Sequence, residues 1–238
     1  CGEDFRICCL AHVYYPDLWP ELARHIVNMR EIPSDLYVNL VDTTWTEELH
    51  AAVRQDFPEA HIYVTPNRGR DIGGFFALLR NIEIDDYDAF CLVHTKKSPH
   101  MDKFEVQKWR DDLLGAILGS REIVRENVNL LSRNEHIGLI GAARWRNTSL
   151  YSNADRYYRL LDELGIEGEN RRCEYLSGTM MFLRASVLKE IYMALSEVEF
   201  EDGDNRSLEF SRDGQIGHAV ERLIGNIVRK QGYAFAWR

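Results

Sequence analysis

Short, nearly continuous apolar runs alternate along this chain with segments whose apolar residues recur at helical spacing. Ile7-Cys8-Cys9-Leu10-Ala11-His12-Val13-Tyr14-Tyr15 reads as a buried strand, bounded by Pro16 and Pro20. From Leu18 to Met29 the positions Leu22, Ile26 and Met29 keep a helical stride. Asp35 to Val41 forms a second strand that ends at Asp42-Thr43-Thr44, and Thr46 to Gln55 is helical with Thr46 as N-cap. His61 to Thr65 is the third strand, and a helix follows it towards Arg80. The fourth strand is Ala89 to His94.

Strands this uniformly apolar, each separated from the next by a helix, predict an α/β fold with a mainly parallel sheet covered on both faces. Helices follow at Lys108–Leu118 and Arg121–Leu131, then a strand at Ile137–Gly141 and a helix at Tyr151–Leu164. A strand at Tyr175–Leu183, helices at Ala185–Leu195 and Gln215–Arg229, and a terminal strand at Tyr233–Trp237 complete the pattern. No linker or repeat interrupts it. The expectation is one domain over 1–238, with a nucleotide-binding half (1–100) and an acceptor-side half (101–238), cut from a longer protein.

Ligands of parallel sheets bind outside the carboxyl ends of the strands. Here those ends are Tyr14-Tyr15, Asp42-Thr43-Thr44, Asn67 to Asp71 and His94 to Ser98, and they are expected to share one cleft. The third is the most informative. Asn67-Arg68-Gly69-Arg70-Asp71-Ile72-Gly73-Gly74 joins a strand to a helix start, where unpaired N–H groups and the positive helix end favour an anion. Arginine forks suit phosphates, and an aspartate accepts from sugar hydroxyls. The bland alternative is a solvated loop in which Arg70 and Asp71 pair or cap the helix. The glycine spacing fits neither a Walker loop nor the dinucleotide fingerprint.

Bulk properties narrow the function. The 238 residues carry a formal charge of −9, which disfavours nucleic acid as main partner, and 45% apolar residues support a real core. No apolar run is long enough to span a bilayer, and the acidic start lacks a secretory core. Five cysteines, an odd count with Cys8, Cys9 and Cys91 inside apolar strand-like runs, argue for buried reduced thiols and a cytoplasmic setting, and the lack of a Cys-x-x-Cys pair argues against a structural zinc site. His12, His94, His100 and His218 match no local metal motif, and Glu199–Asp204 reads as a mobile acidic loop with an acceptor lid as the alternative.

The order of motifs resembles a GT-A glycosyltransferase and, at closer range, the rhamnan synthesis protein F family. The matching segments are His12–Asp17, Asn67–Gly73, His94-Thr95-Lys96-Lys97-Ser98, Trp109-Arg110, Ser177-Gly178-Thr179-Met180 and Asp213-Gly214 with His218, Glu221, Arg222 and Leu223. They span nearly the whole chain. The resemblance implies a GT-A-like, Rossmann-type sheet and a hexosyltransferase that uses a nucleotide-sugar donor. It points to an inverting rhamnosyltransferase with a dTDP-rhamnose donor, acting on a glycan or lipid-linked glycan in O-antigen or cell-wall polysaccharide synthesis. Nucleic acid is not an expected partner. Location at the inner face of the plasma membrane, by peripheral association through the rest of the protein, goes with that acceptor. The rival is a non-catalytic glycan- or nucleotide-sugar-binding module of an assembly protein.

Such enzymes usually close the fourth strand with Asp-x-Asp, which holds a divalent metal; here it ends in His94-Thr95-Lys96-Lys97-Ser98. Lys96 and Lys97 are therefore expected to neutralise the leaving diphosphate without a cofactor, with Mg²⁺ or Mn²⁺ as the alternative. In this scheme Tyr14 and Asp42 touch the base, while Asn67, Arg70, Asp71 and His94 hold the donor. Gly178, Thr179, His218, Glu221 and Arg222 lie on the acceptor side, Glu221 being equally a structural partner for Arg222 or Arg70. Asp213 is the candidate general base, against a plain N-cap role.

Overall fold

The computed structural model describes residues 5–98, 102–203 and 214–238. Nine strands and eight α-helices alternate through these residues. The first four strands, β1 (Ile7–Val13), β2 (Ser34–Val41), β3 (His61–Thr65) and β4 (Ala89–His94), all run parallel. Every residue of β1 and β4 is buried. Neighbouring side chains on a strand point to opposite faces, so uniform burial means that both faces are covered.

Helices α1 (Trp19–Ile26), α2 (Glu47–Asp56) and α3 (Arg70–Leu79) connect these strands. The Thr46 hydroxyl caps α2, accepting the Leu49 N–H at 3.1 Å. The helical stride from Leu18 to Met29 is realised in two pieces, α1 and a 3₁₀ turn at Val27–Met29. β1 stops at Val13 rather than Tyr15, because the N–H groups of Tyr14 and Tyr15 both turn onto the Thr95 hydroxyl at 3.0 Å.

The second half contributes α4 (Lys103–Leu118), α5 (Arg121–Arg133), β5 (Ile137–Gly141), β6 (Arg146–Asn147) and α6 (Ala154–Glu163). It continues with β7 (Tyr175–Leu176), β8 (Met181–Arg184), α7 (Ala185–Leu195), α8 (Ile216–Lys230) and β9 (Ala234–Trp237). Helix α4 starts at Lys103 rather than Lys108, capped by Asp102 on the Phe104 N–H at 2.8 Å.

One sheet of seven strands, ordered β3-β2-β1-β4-β8-β5-β9, draws on both halves. β8 enters antiparallel to β4 and β5, while β5 and β9 pair parallel. The expected strand Tyr175–Leu183 is split: Gly178 (φ 110°) and Thr179 (φ 54°) are both left-handed and break it. Its first piece, β7, pairs with β6 in a separate two-stranded sheet. Cys8, Cys9 and Cys91 are free thiols buried in the central strands, and Cys173 is half-buried. Among the described residues no helix is long and apolar enough to cross a membrane.

Candidate functional site

A cavity of about 550 Å³ opens at the carboxyl ends of β1 and β4, roofed by the first turns of α3 and α8. Its floor is an imidazole network. Thr65 Oγ1 donates to Asn39 Oδ1 at 2.7 Å, and the Asn39 amide lies 3.0 Å from His12 Nδ1. With the amide donating, the His12 proton resides on Nε2. Burial pushes the His12 pKa down to about 4, although the Asp71 carboxylate pulls it the other way.

His94, at the end of β4, holds the Gly178 carbonyl at 2.7 Å through Nε2 and has Asp71 Oδ2 3.5 Å from the same nitrogen. Burial lowers its pKa as well, against the pull of Asp71. Asp71 behaves oppositely: burial opposes its charge, yet His94, Lys96, His12 and a hydrogen bond from Thr179 hold its carboxyl down at about 2. It stays ionised at any working pH.

The turn that carries Asp71 is strained where it meets the cavity. Gly69 (φ 70°) and Arg70 (φ 57°) are both left-handed, and no side chain caps α3. A left-handed non-glycine residue costs about 1–2 kcal/mol, so Arg70 is held there by its surroundings. Its Nη1 lies 3.4 Å from His218 Nε2 across the cavity roof. Asn67 is buried beside it, and its carbonyl accepts the Gly203 N–H at 2.8 Å. The Gly69 N–H in turn donates to the Glu201 carbonyl at 2.9 Å.

These contacts correct the picture of Glu199–Asp204 as a mobile solvated loop, as far as it is described. The Glu201 carboxylate accepts the Ile216 N–H at 3.0 Å and pairs with Arg156 at 2.5 Å, so it caps α8 and ties that helix to the glycine turn. Asp204 and the candidate base Asp213 lie outside the described residues, as does His100.

Lys96 and Lys97, adjacent in sequence, diverge. Lys96 Nζ stands 4.2 Å from the centre of the Trp109 ring, and its charge acts on Asp71, His94 and Glu221. Lys97 also lines the cavity but is exposed; its ammonium pairs with Asp17 and lies 5.1 Å from the Tyr15 ring centre. Arg110 fixes the Lys96 backbone, donating to its carbonyl at 3.0 Å while gripping Glu21 at 2.9 and 3.3 Å. Trp109 and Arg110 thus support the lysine turn, which their place in the motif order alone did not reveal.

On the far wall, Glu221 Oε1 accepts the Gly178 N–H at 2.7 Å and the Thr179 hydroxyl at 3.0 Å. Burial and the Asp71 charge raise the Glu221 pKa. His218 lines the cavity and closes a capping box with Gln215, whose N–H lies 3.3 Å from Nδ1.

Other expectations are corrected. Arg222 does not line the cavity: it is buried, donates to the His218 and Ser149 carbonyls at 2.7 and 3.2 Å, and stacks 4.9 Å from the Tyr175 ring centre. Gly178 also sits behind the wall, where an added Cβ would come within 2.6 Å of Leu113. Asp42 is exposed at the end of β2 and outside the lining, although Tyr14 and Tyr15 are part of it. Of the four strand ends expected to share a cleft, those of β1 and β4 and the turn after β3 do so.

The fold has a solved counterpart in a mannosyltransferase from Pyrobaculum calidifontis, determined with GDP-mannose and Mn²⁺. The similarity covers 98% of this chain and 54% of that one, with a TM-score of 0.51 and 13% identity. Two Xanthomonas campestris pv. campestris proteins called uncharacterized protein WxcX, from strains B100 and ATCC 33913, are each 27% identical over 233 residues. The alignment takes in 95% of this chain but only 32% of those proteins, so the chain spans about a third of their length. The sequence pattern of rhamnan synthesis protein F extends over residues 2–233, nearly the whole chain, and this chain belongs to that family.

Proposed function

We propose that the cavity is a glycosyltransferase site that passes a sugar from a nucleoside-diphosphate donor to a glycan hydroxyl. The observation that carries this reading is the meeting of both charges in one cavity. Arg70, Lys96 and the N-terminal turns of α3 and α8 line it together with the carboxylates Asp71 and Glu221. Cations and helix N-termini hold a diphosphate and stabilise it as it leaves. Carboxylates accept hydrogen bonds from sugar hydroxyls and can take a proton. The volume suits a ligand of nucleotide-sugar size.

In this reading Tyr14 packs against the base and Asn67 and Asp71 orient ribose or donor sugar. Arg70 and Lys96 bind the diphosphate, and a carboxylate, with Asp213 the candidate from sequence, receives the acceptor proton. Direct displacement with one base gives inversion. The family description, rhamnan synthesis protein F, supports rhamnose as the transferred sugar; a dTDP carrier and a cell-surface polysaccharide or lipid-linked glycan acceptor, met at the membrane through the rest of the protein, complete the proposal.

A resident metal does not fit the described residues. No group of three or more His, Cys, Asp or Glu side chains among them is placed to hold an ion. The His94 Nε2 is engaged by Gly178, and β4 is followed by Thr95-Lys96-Lys97 rather than the Asp-x-Asp that the GT-A resemblance leads one to expect. The reading is accordingly metal-independent.

The rival, a nucleotide-sugar-binding module without turnover, is favoured by that same absence of a carboxylate pair after β4. Incubating the purified protein with a panel of nucleotide sugars, with and without EDTA, decides between them. Donor cleavage supports the transferase, and tight binding without cleavage supports the module.

A further inference from the structure

We propose that Glu221 is the group that takes the proton from the acceptor hydroxyl, an assignment that rests on the transferase reading. Glu221 projects from the second turn of α8 into the cavity wall. Its Oε1 is fully engaged by the Gly178 N–H at 2.7 Å and the Thr179 hydroxyl at 3.0 Å. Those bonds fix the carboxylate plane. Oε2 has the Arg222 guanidinium 3.7 Å away, beyond a hydrogen bond but near enough to steady its charge.

The donors that hold Glu221 come from the two left-handed residues, Gly178 at φ 110° and Thr179 at φ 54°. Backbone held in such a conformation at a cavity wall is strain retained for a geometric purpose. Here the purpose is visible. The turn presents an N–H and a hydroxyl to Glu221 while its carbonyl meets His94 on the other side.

Proton accounting separates Glu221 from Asp71. The Thr179 hydroxyl is within reach of both carboxylates but has one proton to donate. Burial and the Asp71 charge push the Glu221 pKa up, whereas Asp71 is held at about 2 despite burial. Two carboxylates driven apart in this way divide the labour: one stays charged, and the other is the better proton acceptor. The charged or titratable groups around this wall are Asp71 and Arg70 on α3, His94 at the end of β4 with Lys96 and Lys97 after it, and His218 and Arg222 on α8. Lys96, the Gly178 N–H and Arg222 act against this rise without reversing it.

In the step itself, the acceptor oxygen bonds to C1 of the donor sugar as the C1–O bond to the diphosphate breaks. The electron pair leaves on the diphosphate and the hydroxyl proton passes to Oε2 of Glu221.

Glu221→Gln tests this, because it keeps an oxygen for Gly178 and Thr179 and removes only the basicity. Donor affinity and melting temperature should hold while transfer falls about 10²–10⁴-fold. In Asp71→Asn the acid limb of the kcat profile should move to lower pH, since the Asp71 charge helps to raise Glu221. Asp213→Asn is measured alongside. An active wild type with an equally active Glu221→Gln overturns this assignment alone, above all if Asp213→Asn is inert. An unmoved acid limb in Asp71→Asn also overturns it, and remains readable should Glu221→Gln not fold. A wild type that neither transfers nor hydrolyses any donor removes the transferase reading and this assignment together.

Discussion

Gly74 lies directly beneath the imidazole of His12: a Cβ on it would stand 2.1 Å from Nδ1. This contact seats α3 against β1, and the His12 ring cannot move aside freely because Asn39 on β2, itself held by Thr65 on β3, fixes it. In an open helix interior, replacing glycine by alanine gains about 1 kcal/mol. Here Gly74→Ala should instead cost about 1–3 kcal/mol, the usual range for overpacking. A denaturation midpoint higher than wild type would show that the helix can shift away from the ring.

The same burial makes stability depend on pH. The His12 pKa falls from 6.5 to about 4 on burial, with Asp71 opposing the drop. The unfolded chain therefore takes up this proton first as pH falls. Its contribution should be level above about pH 6.5 and decline by about 3 kcal/mol between there and about pH 4. His94 is lowered too and adds a decline of the same sign below its ordinary value. Urea titrations across this window should show the slope, and His12→Gln should flatten it. A slope unchanged in that variant would place its origin elsewhere.

Arg70 offers a way to separate binding from folding. Its φ of 57° is strained for arginine and easy for glycine. Arg70→Gly should stabilise the fold by about 1 kcal/mol. The same change should weaken nucleotide-sugar binding by more than about 1.5 kcal/mol, the scale of a charge-assisted hydrogen bond. Calorimetry that finds normal donor affinity would return Arg70 to a structural role.

The two lysines after β4 should not behave alike. Both line the cavity, but Lys96 stands over Trp109, whereas Lys97 is exposed and paired with Asp17. Lys96→Ala is expected to reduce turnover about 10²–10³-fold, the loss typical of one electrostatic donor at a leaving group. Lys97→Ala should stay near wild type, and both wild-type and Lys97→Ala activity should survive EDTA. Activity lost in EDTA and restored by Mn²⁺ or Mg²⁺ would replace this account with a metal-dependent one.

Local pattern alone determined much of this protein. The four parallel strands of the first half follow from continuous apolar runs, which only a sheet covered on both faces can use. The turn at Asn67–Asp71 and the end of β4 were recognisable as neighbours, because parallel strands deliver their carboxyl ends to one side. Tertiary structure decided the rest. β8 carries an apolar run like its neighbours, and its antiparallel insertion between β4 and β5 depends on partners far away in sequence. That insertion, with the left-handed pair Gly178–Thr179 before it, brings Glu221 opposite Asp71. Asp42 looked equivalent to the other strand ends, yet the cavity centres on β1 and β4 and leaves it in solvent. Lys96 and Lys97 are chemically identical and adjacent, and both line the cavity; Trp109 and Asp17, reached only through packing, hold one over an aromatic ring and pair the other at the exposed rim. Periodicity records which face of an element is buried, but the choice of neighbour is a long-range property that no local pattern contains.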